Sequence, residues 1–174
     1  MEGFCARELR KRNMTHANFM NTLCRGIVGY VSYNATCDLS TIYSEYMLYE
    51  PIARIAKAQG YSVSCEYPAA NQKSGRGDKK RIDFRFTKSG ESVLVEVKWA
   101  KNTRAAISGD LEKLSSTDAE QKYLLIFGFA DVVNAFEGEK GAKLPPAKNS
   151  GKVVEWNSGR THYAARWYRE EDNA

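Results

Sequence analysis

The chain has 174 residues, 43% of them hydrophobic and 27% charged, the balance of an ordinary globular protein with enough apolar material for a core, and a single domain over 1–174 is the natural count. Its 26 Lys and Arg against 21 Asp and Glu give a formal charge of +5, which favours a polyanionic partner without requiring one. Cys5, Cys24, Cys37 and Cys65 lack C-x-x-C spacing, which argues against a zinc or disulfide framework, and no apolar run approaches the roughly 20 residues of a membrane span, so a cytoplasmic protein with no membrane partner is expected.

Residues 3–34 carry apolar positions at helical spacing, among them Phe19, Leu23, Ile27 and Tyr30, with Thr15 as N-cap of a second helical piece. This gives a helical N-terminal segment over 1–40 ahead of a core over 41–130. A further helix opens after Asp38 or Ser40 and stops at Gly60, with Leu48, Ile52 and Ile55 as its apolar stripe. Glu45 shares that stripe. Glu50 faces away and precedes Pro51, which kinks or restarts the helix.

From Tyr61 the period becomes alternating, giving a strand over 61–66, then a Gly- and Lys-rich loop over 71–80. In 81–87, Ile82, Phe84 and Phe86 alternate with Arg81, Asp83 and Arg85; in 92–98, Val93, Val95 and Val97 alternate with Leu94, Glu96 and Lys98. Ser89-Gly90 is a two-residue turn joining them into a hairpin. A short helix over 110–116, an interior strand over 122–129, a loop over 138–151 and a last strand over 160–168 complete an α/β architecture in α-β-β-β-α-β order, with a central mixed β-sheet of about four or five strands flanked by α-helices.

With that turn, Lys88 pairs with Glu91 and Asp83 falls directly opposite Glu96, so both acids project to one face. Their Cβ atoms then lie about 5 Å apart, an arrangement that destabilises a sheet unless positive charge sits between them. Hard oxygen ligands without His or Cys favour Mg²⁺, which typically takes one or two carboxylates. Lys98 reaches the same face, where an amine can orient or deprotonate water beside a phosphodiester. The competing reading is a half-exposed outer face, with Asp83 and Glu96 neutralised by Arg85 and Lys98.

Arg81-Ile82-Asp83-Phe84-Arg85-Phe86 followed by Val93-Leu94-Val95-Glu96-Val97-Lys98-Trp99 resembles the core of the PD-(D/E)XK nuclease superfamily, whose signature is Asp on one strand and Glu-x-Lys on the next. Ile82 stands where the signature has Pro. Tyr43-Ser44-Glu45-Tyr46-Met47-Leu48-Tyr49-Glu50-Pro51, Gly60-Tyr61 and Glu66-Tyr67-Pro68 look like the helix and first strand preceding that core, and Lys98-Trp99-Ala100-Lys101 and Asp110-Leu111-Glu112-Lys113-Leu114 like the segment after it. The resemblance covers about residues 40–128. It implies a restriction-endonuclease-like fold and a metal-dependent nuclease, most naturally a DNA endonuclease, using Mg²⁺ with Mn²⁺ able to substitute. Asp83, Glu96 and the Val97 carbonyl would bind metal, Lys98 would act on water, and Glu45, with Glu50 as fallback, would support the site. Glu66, ending a strand, reads more readily as a surface charge.

Lys73, Arg76, Lys79, Lys80 and Arg81 precede the Asp strand and Lys101 and Arg104 follow Lys98, as phosphate-backbone contacts that carry affinity without sequence information. Arg160, Arg166 and Arg169 form a third basic group, for which ordinary solvated charge is the equal alternative. Trp99, Trp156 and Trp167 serve either base stacking or packing. His16 and His162, the only histidines, are assigned no role, and the absence of G-x-x-x-x-G-K-[ST] excludes a P-loop. A homodimer would be needed for symmetric double-strand cutting. The rival class is a non-catalytic nucleic-acid or protein-binding module that retains the nuclease fold.

Overall fold

The computed structural model describes residues 2–39, 44–70, 80–157 and 162–170, with side chains described from His16 onward. Helix α1 runs unbroken over Glu2–Thr36, so Thr15 lies inside it and is no cap. Asp38, expected to open the next helix, instead closes this one: with φ of +54° it lets Leu39 N–H return to Asn34 O (3.0 Å) and Asp38 N–H to Ala35 O (3.4 Å), the double return of a Schellman-type end. After the undescribed residues 40–43, Ser44 caps a 3-10 turn over Glu45–Leu48, which passes directly into α2 (Tyr49–Ala58). Pro51 falls in the first turn of α2, where a missing N–H costs no intrahelical bond, so the helix restarts ahead of it.

The remaining elements are β1 (Ser62–Pro68), β2 (Arg81–Lys88), β3 (Glu91–Ala100), α3 (Ser108–Ser116), β4 (Gln121–Phe129), α4 (Ala130–Asn134), β5 (Val154–Asn157) and β6 (His162–Arg169). They form a six-stranded mixed sheet in the order β1-β2-β3-β4-β6-β5, in which β3 and β4 are parallel and every other neighbouring pair is antiparallel. The expected four or five strands are therefore six. The unforeseen strand is β5, four residues at the sheet edge with mostly exposed side chains, too short and too polar to show an alternating apolar signal. Arg160 and the loop residues 71–79 lie outside the described residues.

Two cores cover the two faces. On one, Phe19, Leu23 and Ile27 of α1 and Ile52 and Ala56 of α2 pack on Phe84, Phe86, Val93, Val95, Tyr123 and Leu125. On the other, Leu114 of α3 and Ala130 and Val133 of α4 pack on Leu94, Leu124 and Ile126. The β2–β3 turn follows the sequence reading: Ser89 and Gly90 both have positive φ (+53° and +83°), which suits the right-handed twist of the strands it joins. Among the described residues no helix is long and apolar enough to cross a membrane.

The parallel β3–β4 pair matters most for the site, because its crossover carries α3 back over the sheet. At Gly128, paired with Ala100, a Cβ would meet the Ala100 carbonyl oxygen at 2.6 Å. Gly128→Ala is therefore expected to lower stability by about 1–3 kcal/mol, read as a reduced urea midpoint with an unchanged m-value; an unchanged midpoint would contradict this packing.

Candidate metal and phosphodiester site

β2 pairs with β3 from Lys88↔Glu91 to Phe84↔Val95 and no further, while it stays on β1 through Ile82 and Arg81. The first residues of β2 thus splay away from β3. Side-chain acids take their place along the vacated edge: Val97 N–H donates to Asp83 Oδ2 at 2.8 Å, and Trp99 N–H donates to Glu45 Oε1 at 3.0 Å. A strand residue sends its N–H and C=O out on the same side, so the Val97 carbonyl opens into the same gap.

The splay corrects two expectations. Ile82 packs with the α3 and α4 core, whereas Phe84 and Phe86 pack with the α1 and α2 core, so strict alternation fails between 82 and 84 and the strand turns over at Asp83. Asp83 and Glu96 consequently form no ladder pair; Asp83 lies in the gap between the strands and Glu96 follows Leu94 toward α3. They are nevertheless neighbours, close enough for the Asp83 charge to act on Glu96. The half-exposed outer face is excluded as well, since Glu96 is only 2% exposed.

α3 supplies partners that the strands alone do not reveal. Lys113 Nζ lies 2.8 Å from Glu96 Oε1 and 3.0 Å from Asp110 Oδ1, and Lys98 Nζ lies 3.3 Å from Asp110 Oδ2. Acid and amine alternate through Glu96, Lys113, Asp110 and Lys98. The α3 N-terminus that aims this row is held by Glu139, which accepts from Ile107 N–H (2.5 Å) and Ser108 N–H (2.8 Å); the Ser108 contacts, then the Ile107 N–H, hold its carboxyl down to about 2. On the opposite side Tyr49, whose ring packs on Phe84 at 4.6 Å, places Oη 2.7 Å from both Asp83 Oδ1 and Glu66 Oε1.

Burial dominates the electrostatics. It pushes the Asp83 carboxyl up despite the Val97 and Tyr49 donors, and it pushes Glu96, aided by the neighbouring Asp83 charge, up to about 9. Burial alone would lower Lys113, but contact with Glu96 and Asp110 outweighs it and leaves the amine raised. Lys113 Nζ is the one partner of Glu96 Oε1 among the described residues, so an ion bound there would displace the amine from that oxygen. Among the described residues no group of three or more His, Cys, Asp or Glu side chains is arranged to hold a metal ion. Two neighbouring carboxylates, one of them held by a displaceable amine, beside an open carbonyl do fit the sparse, hard-oxygen, water-rich binding of Mg²⁺.

Of the residues singled out by sequence, Asp83, Glu96 and Val97 come together, and Lys98 reaches them through Asp110. Glu45 sits two residues along β3, on Trp99 N–H, about 7 Å of strand from the Asp83 contact. Glu50 pairs with Arg54 in solvent, and Glu66 belongs to the site after all. Lys80 pairs with Glu112, Arg81 is exposed, and Arg104 lies 3.8 Å from Glu137. Lys101 rests over the Trp99 ring (4.8 Å), whose packing places it with the α1 and α2 core, away from Lys98. Lys73, Arg76 and Lys79 lie outside the described residues. Arg166 bonds Gly151 O and Ser150 Oγ, a structural use, and Trp167 donates to Asn21 Oδ1. Missed from sequence were Tyr49, Asp110 and Lys113; Asp110 and Lys113 stand three apart in a helix beside the inward Leu114, which was the available signal. No protein-family model matches this chain, and no curated protein matches it in sequence.

The raised Glu96 carboxyl makes stability depend on pH. Its folded value near 9 exceeds the ordinary 4.5, so the folded state keeps a proton that the unfolded chain releases; the resulting stabilisation is complete below about 4.5 and is lost as pH rises through 9. Lys113, raised above 10.5, titrates outside that window. In EDTA, Glu96→Gln should therefore gain stability relative to wild type steadily between pH 5 and pH 9, measured by urea unfolding; parallel pH profiles for the two proteins would contradict the assignment.

Proposed function

We propose that this chain is a magnesium-dependent nuclease of the PD-(D/E)XK type, hydrolysing phosphodiester bonds of nucleic acid, DNA in preference to RNA. The observation that carries the reading is the convergence of Asp83 and Glu96, neighbouring acids where β2 leaves β3, beside the Val97 edge, with Lys98 joined to Glu96 through Asp110 and Lys113. A buried Glu96 beside the half-buried Asp83 is unfavourable on its own, and a shared cation relieves the pair.

Asp83, Glu96 and the Val97 carbonyl are the ligands, and Mn²⁺ is able to replace Mg²⁺. When bound, the ion supplies positive charge that polarises a phosphoryl oxygen and acidifies water. Lys98, held by Asp110, orients the attacking water and balances charge on the phosphate. Glu45 is the auxiliary acid on the same strand edge. Exposed Arg81 at the mouth of the splay, with Lys80 and the basic residues before it, contacts the phosphate backbone, so binding weakens as salt rises. The reading carries with it a cytoplasmic location and, for symmetric double-strand cutting, a homodimer.

A second reading draws on the same contacts. Lys113 and Lys98 already neutralise Glu96 and Asp110 without an ion, as a non-catalytic binding module that retained the fold would require.

One assay separates them: plasmid, single-stranded DNA and RNA incubated with the protein in Mg²⁺, Mn²⁺ or EDTA, beside Asp83→Ala and Lys98→Ala. Cleavage by wild type in either ion, absent in EDTA and reduced at least about 100-fold in each variant, is the expected result. Cleavage persisting in both variants, or nucleic-acid binding without cleavage in any condition, would reject the nuclease reading.

A further inference from the structure

Tyr49 does more than fill the core. Its ring stacks at a tilt on Phe84 (4.6 Å) and Tyr46 (5.0 Å), contacts that a phenylalanine would make equally well. The hydroxyl is what phenylalanine lacks, and it sits 2.7 Å from Asp83 Oδ1 and 2.7 Å from Glu66 Oε1.

The backbone is arranged around that contact. The β1–β2 ladder pairs Cys65↔Phe84 and Tyr67↔Ile82 but skips the rung between them, where Glu66 and Asp83 stand opposite each other. Glu66 occupies that rung with φ of +52°, a conformation few side chains other than glycine and asparagine adopt without strain. Both residues leave the ladder at the same level, and both side chains turn to the same hydroxyl. Simple strand pairing would have needed neither departure.

The consequence falls on Asp83. Its Oδ2 accepts Val97 N–H at 2.8 Å and its Oδ1 meets Tyr49 Oη, so each carboxylate oxygen is pinned from a different element, and the carboxylate is fixed in the gap beside Glu96. Removing one pin frees the carboxylate to rotate away from Glu96. Partners of this kind behind a metal ligand typically govern about 10–100-fold in metal affinity.

We propose that Tyr49 is a positioning residue that fixes the Asp83 carboxylate for divalent-ion binding, with Glu66 as a second acceptor competing for its single hydroxyl proton. The proposal rests on the metal-site reading of Asp83 and Glu96 given above, but not on the chemistry that follows binding. Tyr49 touches no reacting atom; it acts through Asp83.

The test is calorimetric titration of the full chain with Mn²⁺, for wild type, Tyr49→Phe, Glu66→Ala and the double variant, together with thermal unfolding in EDTA. Tyr49→Phe should weaken Mn²⁺ binding about 10-fold, Glu66→Ala should not weaken it, because the hydroxyl proton is then left wholly to Asp83, and the double variant should match Tyr49→Phe, because both act through one hydroxyl. In the cleavage assay the Mn²⁺ concentration giving half-maximal rate should rise by the same factor, while the rate at saturating Mn²⁺ is retained. A purely structural tyrosine would lower the unfolding temperature and leave ion affinity unchanged; wild-type affinity in Tyr49→Phe overturns the inference, and if that variant fails to fold, weakened affinity in Glu66→Ala does so. Mn²⁺ binding that depends on Tyr49 in a protein that cleaves nothing upholds this inference and rejects the nuclease. Cleavage with Tyr49→Phe indistinguishable from wild type does the reverse, and wild type that binds no Mn²⁺ overturns both.

Discussion

A single hydrogen bond organises the centre of this molecule: the Val97 N–H, deprived of a strand partner, is taken by the Asp83 carboxylate. A buried backbone donor must find an acceptor, and where β2 leaves β3 the acceptor is supplied by the side chain of the departing strand. That substitution draws Asp83 into the plane of the sheet instead of onto a face. From there one oxygen meets Tyr49 on the α2 side and the carboxylate neighbours Glu96 on the α3 side. The same device recurs two residues on, where Glu45 takes Trp99 N–H. The exposed edge of β3 thereby becomes a line of carboxylates with no need for additional loops.

Charge explains the rest of the arrangement. Glu96 is buried among Leu94, Val95 and Val97, and a carboxyl so placed is stabilised by a proton, an amine or a metal ion. Lys113 is the amine at hand. Its helix is set by the β3–β4 crossover, by Leu114 packing into the second core and by Glu139 at the helix start. Asp110 then joins Lys113 to Lys98, so the two lysines share an acid, and Glu96 and Asp110 each have a cationic neighbour. The network ties the site to both cores: one through Tyr49 on Phe84, the other through α3.

What the sequence made legible was short-range. The strands over 81–87 and 92–98, the Ser89-Gly90 turn and the apolar run ending at Phe129 each follow from local period and turn chemistry and appear in the fold, although the alternation of the first breaks between Ile82 and Phe84. Asp83, Glu96 and Lys98 emerged from the same counting, and their association survives although the direct cross-strand pair does not form. The splay itself was hidden, because it depends on Glu66 adopting positive φ without a glycine to announce it. Tyr49 and Lys113 stood only inside segments that resemble the family, with no role of their own; both roles are decided by which element lies across the sheet. Asp38 misled for a local reason, since an acid that caps a helix start also tolerates the left-handed turn that ends one.

The most direct test of the account is a crystal of the protein grown with Mn²⁺ and examined at the manganese absorption edge. The account predicts an anomalous peak in the gap where β2 leaves β3, at about 2.0–2.2 Å from oxygens of both Asp83 and Glu96, with Lys113 Nζ moved off Glu96. A fully loaded crystal with no peak there, and Lys113 still seated on Glu96, would contradict it.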